Sequence, residues 1–105
     1  MRKAQYRSDF LVSENRRIVL KVIRVDRNAR FPEGIEFAIQ YLYWKDGIWH
    51  QVARIDNQLH GGKPGIHLHT LEREKVEWLN ISFQETRTHI MEVGERIIRT
   101  IIERV

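Results

Sequence analysis

Three of the five histidines in this 105-residue chain lie between residues 60 and 69, around a glycine-rich segment. His67 and His69 are two residues apart, so on a β-strand both side chains project from the same face. His60 belongs to residues 57–65, whose three glycines and one proline predict a loop. Neutral imidazole ligates metal ions and moves protons near neutral pH. The candidate catalytic residues are Asp56, Asn57, His60, His67 and His69.

The histidine segment has three competing interpretations. In the first, the histidines are structural and either bond to the backbone or lie exposed on a strand. In the second, His67 and His69 hold a divalent metal ion, because a His-x-His pair on a strand presents two ligands to one point. The segment is also similar to the beginning of the first cupin motif, but Ile81 stands where that motif needs a glycine, and the second motif is missing. We therefore reject cupin membership.

The third interpretation is metal-free acid–base chemistry on a phosphodiester, which needs no cofactor. One histidine would take the proton of a ribose 2′-hydroxyl while another protonates the leaving oxygen. Neighbouring cations stabilise the charge of such a transition state, and Arg54 and Lys63 are the candidate substrate-binding residues. Asp56 and Asn57 also have a simpler interpretation, because both residue types commonly end strands by bonding the local backbone.

Positive charge is concentrated at the beginning of the chain. The whole chain carries a net charge of +4, whereas residues 1–30 alone hold nine basic and three acidic side chains. A basic face attracts polyanions in a salt-dependent way, although an ordinary solvated surface has a similar composition. The candidate nucleic-acid-binding residues are Arg2, Lys3, Arg7, Arg16 and Arg17.

Composition limits the class of protein. With 42% hydrophobic and 30% charged residues the chain is not disordered, and without cysteine it has neither disulfides nor thiolate metal ligands. No apolar run reaches the roughly 18 residues that span a bilayer, and the first residues lack the apolar segment of a signal peptide. We expect one cytoplasmic domain over residues 1–105, with no membrane contact.

The elements that position these side chains are predicted from hydrophobic periodicity. Apolar alternation and β-branched residues predict strands over 6–12, 17–25, 35–43, 48–56 and 66–71. Asp46 and Gly47, between the third and fourth strands, are typical of a tight hairpin turn. Residues 72–81 fit either a short helical turn or a further strand.

The C-terminal segment predicts one long amphipathic helix. Ser82 and Glu85 have the spacing of a capping box, and apolar residues then recur at helical spacing from Ile90 to Val105, with Gly94 near the middle. A meander of about five antiparallel strands covered by this helix is an α+β fold. Part of the wide apolar stripe, together with Trp49 or Trp78, is a candidate homodimer surface.

Short motifs in the middle of the chain resemble the small prokaryotic TumE-like proteins. The resemblance covers residues 35–71, and the C-terminal helix only in character. It is carried by Tyr41-Leu42-Tyr43-Trp44, Arg54-Ile55-Asp56-Asn57, His60-Gly61 and His67-Leu68-His69. It implies the toxin half of a toxin–antitoxin pair, a partner antitoxin and an RNA or translation target, with the site at Asp56, Asn57, His60, His67 and His69.

The predicted function is therefore that of a small toxin-like protein acting on RNA through its histidines. Two alternatives stay open. One is a non-catalytic dimeric interaction protein with structural histidines, and the other is a metal-binding protein that uses the His-x-His pair.

Overall fold

A computed structural model describes residues 5–103, which form one antiparallel sheet and a C-terminal helix. The strands follow one another across the sheet in chain order. They are β1 (Gln5–Ser13), β2 (Arg16–Arg24), β3 (Ile35–Lys45), β4 (Ile48–Asp56), β5 (His67–Thr70) and β6 (Arg73–Trp78). The helix begins with a 3₁₀ turn (Phe83–Glu85), continues as α1 (Thr86–Ile97) and ends with a π-helical turn (Ile98–Ile102).

The α+β fold predicted from the sequence is confirmed, with six strands where periodicity marked about five. The additional strand, β6, lies within residues 72–81, for which the sequence left a helical turn and a strand open. Most side chains of β6 are exposed, so its alternation is weak. Backbone pairing with β5, which places Trp78 opposite His67, makes this segment a strand.

Two local signals of the sequence are confirmed. Asp46 and Gly47 have positive φ angles of 54° and 81°, as a type I′ hairpin turn requires. The capping box is formed as well, because the Ser82 N–H donates to Glu85 Oε1 at 2.9 Å. The hairpin therefore aligns β3 with β4, and the helix begins at the predicted residue.

The helix covers one face of the sheet, mainly over β3 and β4. Ile90 and Ile97 are fully buried there. Gly94 permits the closest approach, because a Cβ at this position would lie within 3.0 Å of three atoms of the Tyr41 ring. The middle of the apolar stripe is thus buried within the chain, whereas Ile101 is 46% exposed. Across residues 5–103, no helix combines the length and the apolar character that a membrane span needs.

We call the sheet surface opposite the helix the open face, and a β-bulge decides which side chains of β4 reach it. Tyr41 pairs with Ala53, but the next residue, Leu42, pairs with Gln51, so Val52 is the additional residue. A bulge shifts the alternation of a strand by one position. Arg54 therefore lies on the open face, and so does Asp56, two residues later at the end of β4. Without the bulge, the hairpin register would turn these polar side chains into the core.

Candidate functional site

The predicted histidines meet on the open face, where β4, β5 and the 57–65 loop come together. β5 pairs with β4 so that His67 lies opposite Asp56 and His69 lies opposite Arg54. Directly opposed residues of an antiparallel pair point to the same face, so these four side chains are neighbours. Leu68, between the two histidines, is buried in the core beneath the helix. Both strand histidines consequently face away from the helix.

His60 joins the two strand histidines from the loop. Its ring centroid lies 5.2 Å from that of His67 and 5.7 Å from that of His69, and the two strand rings are 4.9 Å apart. One ligand nitrogen from each ring lies within 4.8 Å of the other two. A backbone bridge between His60 and Lys63, which encloses Gly61 and Gly62 at positive φ, folds the loop into this position. We define the histidine cluster as His60, His67, His69 and Asp56.

Asp56 is the carboxylate at the centre of the histidine cluster and is only 2% exposed. Its Oδ1 lies 3.2 Å from His67 Nε2, and its Oδ2 lies 3.4 Å from His69 Nε2. Arg54 Nε lies 3.1 Å from Oδ2 but lacks hydrogen-bond alignment, so this buried Nε has no hydrogen-bond partner among residues 5–103. The Gln58 N–H donates to Oδ1 at 3.0 Å. One buried carboxylate therefore orients both strand histidines.

His67 is the deeply held histidine of the cluster. It is 2% exposed, and its ring centroid lies 5.0 Å from that of Trp78. Its Nδ1 lies 3.3 Å from the carbonyl oxygen of Gly65. A carbonyl oxygen accepts and cannot donate, so we assign a hydrogen to Nδ1. His67 is consequently suited to position its neighbours, because a large substrate cannot reach its ring.

His69 is the accessible strand histidine, with 35% of its side chain exposed. Partial burial lowers the pKa of His69 from its ordinary value of 6.5, against the opposing effect of the Asp56 carboxylate. The positive potential of His67 and Arg54 lowers this pKa as well. At neutral pH, His69 is therefore a neutral imidazole that can accept a proton or bind a metal ion.

Two predicted site residues have other partners. Asn57 is buried, and its Oδ1 accepts the Phe37 N–H while its Nδ2 donates to the Ile35 carbonyl, both at 2.9 Å. Its amide joins the end of β4 to the beginning of β3, so its role is structural. Lys63 places its Nζ 4.5 Å from the ring centroid of Trp78. This amine lies beside the histidine cluster and does not enter it.

The predicted basic residues do not share one surface. Arg17 lies on the open face, where two hydrogen bonds of 2.6 Å tie its guanidinium to Asp9. Arg16 lies on the helix-covered face, and its guanidinium donates to Glu95. Arg16 is thus separated from the histidine cluster by the sheet. Two members of the set lie outside the described residues, Arg2 and Lys3.

Lys21, which the predicted site omitted, lies in the same cross-strand row as the cluster. Backbone pairing runs from Lys21 to Ala38, then to Asp56 and His67, and Arg7 extends the row onto β1. Strands are about 4.8 Å apart, so Lys21 lies about 10 Å from Asp56 along the row. A shallow depression of about 30 Å³ next to Ala38 is lined by Lys21, Glu36 and Gln58. The alternation of β2 could have placed Lys21 on this face from the sequence alone.

Trp78 is a second residue of the site that the sequence did not assign to it. Its ring forms a wall of the histidine cluster, with centroids 5.0 Å from His67 and 6.3 Å from His60. A Cβ on Gly65 would already touch this ring at 3.4 Å. No sequence signal placed Trp78 beside the histidines, because its position depends on the pairing of β6 with β5.

The fold and the site together define a small α+β protein with a three-histidine group on an open sheet face. Residues 1–95 match the family model described as "Domain of unknown function (DUF7718)", and the chain belongs to this family. Neither the curated proteins nor the solved structures provide a match. The description of the family names no activity, so the site geometry has to support any function assigned to the chain.

Proposed function

We propose that this chain is a small toxin-like protein of a prokaryotic toxin–antitoxin pair, and that it cleaves RNA by metal-free acid–base chemistry at the histidine cluster. The resemblance of residues 35–71 to TumE-like proteins supports the toxin assignment. One observation carries the proposed chemistry. Two accessible histidines, His60 and His69, lie beside a buried carboxylate and Arg54 on a sheet face that the helix leaves open.

In the proposed reaction His69 is the general base and His60 is the general acid. His69 takes the proton of a ribose 2′-hydroxyl, and the 2′-oxygen forms a bond to the adjacent phosphorus. The bond from phosphorus to the 5′-oxygen breaks, and protonated His60 gives that oxygen a proton. The products are a 2′,3′-cyclic phosphate and a free 5′-hydroxyl, so no oxidant, reductant or other reactant is needed.

The other members of the site act through these two histidines or through the substrate. Asp56 Oδ2 lies 3.4 Å from His69 Nε2 and fixes the orientation of that ring, and Nε2 of buried His67 lies 3.2 Å from the other carboxylate oxygen. Arg54, whose side chain is 34% exposed, stabilises the negative charge that develops on the phosphate. Asp56 and His67 are thus positioning residues, while Arg54 is the proposed substrate-binding residue.

The row of Arg7, Lys21 and Ala38 is the proposed path of the RNA backbone toward the cluster. Lys21 is exposed, and 64% of the Arg7 side chain is exposed. Cations placed along one row contact successive phosphates and make binding depend on salt. We expect Lys21→Glu to weaken RNA binding at low salt. Lys75→Glu, which changes an exposed lysine on the helix-covered side of β6, is the matched control.

The cleavage test uses purified protein with cellular RNA and a short synthetic single strand, with and without a chelator. We expect chelator-resistant cleavage that leaves cyclic phosphate ends, and a loss of about a hundredfold or more in His69→Ala or His60→Ala. His50→Ala is the control, because His50 bonds the backbone at the far end of β4. Equal cleavage by wild type and a His60→Ala/His69→Ala double variant would refute the proposal.

The biological part of the proposal includes an antitoxin partner and a cytoplasmic site of action. Expression of the wild-type chain in bacteria is then expected to slow growth, and His69→Ala is expected to abolish that effect. Co-expression of an adjacent small reading frame should restore growth and co-purify with the chain. Growth inhibition that persists in the His69→Ala variant at equal protein level would contradict a toxin that acts through this site.

A non-catalytic, homodimeric interaction protein is the second candidate function, and an apolar groove favours it. The groove lies on the helix-covered face, has a volume of about 230 Å³ and includes Tyr6, Phe10 and Phe83 among its lining residues. In this candidate a second copy of the chain buries the groove. Phe10→Asp should then convert a dimer into a monomer. A wild-type chain that is monomeric at high concentration excludes this candidate.

A further inference from the structure

We propose that the histidine cluster is also a binding site for a divalent first-row transition metal ion such as Zn²⁺. The proposed ligands are His60, His67 and His69, with Asp56 as the adjoining carboxylate. Metal binding does not depend on the RNA chemistry proposed above. Its consequence, that the metal-bound form does not cleave RNA, rests on that proposed function.

The contacts of His67 are the first argument. His67 Nδ1 donates to the Gly65 carbonyl, so Nε2 is the ring nitrogen left for a ligand. This Nε2 lies 3.2 Å from Asp56 Oδ1, and a cation beside both atoms would be bound by both. Metal-bound histidines commonly give their other ring N–H to a backbone carbonyl, which is the arrangement of His67.

The spacing of the ligand atoms is the second argument. A tetrahedral zinc ion with bonds of about 2.0–2.1 Å holds its ligand atoms about 3.4 Å apart. Asp56 oxygens lie 3.2 Å from His67 Nε2 and 3.4 Å from His69 Nε2. Each strand histidine therefore already holds one nitrogen at the separation from an Asp56 oxygen that ligands of one ion require.

His60 is the ligand that moves. The ligand nitrogens of the three histidines lie within 4.8 Å of one another, so the loop must close by on the order of 1 Å to reach tetrahedral spacing. His60 is exposed, and Gly61 and Gly62 follow it at φ angles of 60° and 80°. Such a segment can adjust without disturbing β4 or β5. Metal binding is consequently expected to order residues 57–65.

The donor set selects the kind of ion. Imidazole nitrogens suit zinc, copper, iron and nickel, whereas magnesium and calcium prefer sets made of oxygen atoms. The positive charge of Arg54 opposes the binding of a metal cation, since its Nε lies only 3.1 Å from Asp56 Oδ2. Three neutral imidazoles supply the main coordination, and the carboxylate offsets the charge of the guanidinium. A transition metal is therefore expected to bind, and Mg²⁺ is not.

Occupancy by a metal ion uses the groups that the proposed RNA cleavage needs. A neutral imidazole has one lone pair, and a metal-bound His69 cannot accept the proton of a 2′-hydroxyl. A metal-bound His60 likewise has no transferable proton on the coordinating nitrogen. The same imidazole nitrogens cannot bind a metal ion and transfer a proton at the same time. Zn²⁺ is therefore expected to inhibit the proposed RNA cleavage.

The binding test titrates the chelator-treated, full-length chain with Zn²⁺ against a chromophoric chelator. We expect one Zn²⁺ per chain and a rise in Tm on saturation. We also expect an affinity loss of about a hundredfold in His69→Ala and about tenfold in Asp56→Asn. His60→Ala changes an exposed loop residue, so it tests the site without threatening the fold. His50→Ala and His89→Ala, which remove histidines outside the cluster, should bind Zn²⁺ like wild type.

Equal Zn²⁺ affinity in wild type and His60→Ala/His69→Ala, or saturation by Mg²⁺ at the same concentration, would overturn the proposed metal site. Cleavage assays separate this failure from failure of the proposed function. Cleavage that Zn²⁺ suppresses and a chelator restores supports the inhibition, and cleavage that saturating Zn²⁺ leaves unchanged refutes it. If neither form cleaves RNA, the proposed function and the inhibition are both wrong, and the titration alone decides whether the metal site exists.

Discussion

Asp56 fixes the relative positions of the two strand histidines in the histidine cluster, because its buried carboxylate contacts both of them and Arg54. Buried charges are tolerated when they are paired, and removal of one partner leaves the others without a counter-charge. The loss of Asp56 should therefore change the protonation of its neighbours as well as their orientation. His69 reports this change best, since it is the strand histidine in contact with solvent.

We predict that His69 titrates below 6.5, because burial lowers its pKa, and that Asp56→Asn moves the midpoint lower still. The folded state binds this proton less readily than the unfolded chain does. The contribution of His69 to the free energy of unfolding is therefore fully present above pH 6.5. It is lost as pH falls through the lowered pKa of the folded state. NMR titration of the imidazole C–H signals measures both midpoints. Asp9→Asn, at the far edge of the sheet, should leave the midpoint unchanged, and a midpoint above 6.5 in wild type would contradict the prediction.

At the level of elements, the contact of the helix with β3 decides how closely the two layers pack. Gly94 lies directly over the Tyr41 ring, and Tyr41 is only 1% exposed. An alanine in a helix is intrinsically better than glycine by about 1 kcal/mol. Extra atoms in a well-packed core cost about 1–3 kcal/mol. The steric cost prevails here because the displaced group is a buried aromatic ring.

Gly94→Ala is accordingly expected to lower the free energy of unfolding by up to about 2 kcal/mol. Urea denaturation of wild type and variant measures the difference. Thr88→Ala, at an exposed position of the same helix, is the control and should lie within about 0.5 kcal/mol of wild type. A Gly94→Ala protein more stable than wild type would show that the two layers separate easily, contrary to the packing described.

For the whole molecule, Glu95 joins the basic beginning of the chain to the C-terminal helix. Arg16 Nε and the Tyr41 hydroxyl donate to Glu95 Oε2 at 3.0 and 2.6 Å. The hydrogen bond from Arg16 lowers the pKa of Glu95 from 4.5, and the Tyr41 hydroxyl adds to that effect against partial burial. The charge pattern of the sequence predicted that Arg16 lies on a nucleic-acid-binding surface. In the structure, its hydrogen bonds to Glu95 connect the sheet to the helix.

We predict that Glu95→Gln lowers the free energy of unfolding near neutral pH by about 0.5–1 kcal/mol, a small value because the carboxylate is partly exposed to solvent. A lowered carboxyl pKa favours folding above 4.5, and the contribution is lost as pH falls through the lowered value. The difference between wild type and variant should therefore shrink in acid. Thermal melts over a pH series measure it, with the exposed Glu92→Gln as control. A difference that stays constant down to strongly acidic pH would contradict the role of the charge.

Much of the fold could be predicted because its signals are local. The alternation of β3, the turn at Asp46 and Gly47, and the capping box at Ser82 each depend on residues a few positions apart. For β6 the sequence could not decide between a strand and a helical turn, since an exposed edge strand has little alternation of its own. The bulge at Val52 is similarly hidden, because only the register between β3 and β4 reveals the additional residue.

The candidate site, like the fold, could be predicted only in part from the sequence. The spacing of His67 and His69 already determines that their side chains share a face, because the period of a strand is two. Which face they share depends on pairing with β4, and that pairing also places Asp56 beside the histidines, while Asn57 bonds the backbone of β3. Likewise, the basic charge at the beginning of the chain is a property of the sequence. Only the sheet decided that Lys21 lies in line with the histidine cluster while Arg16 lies behind it, because cross-strand register and bulges are set by contacts between residues far apart in the chain.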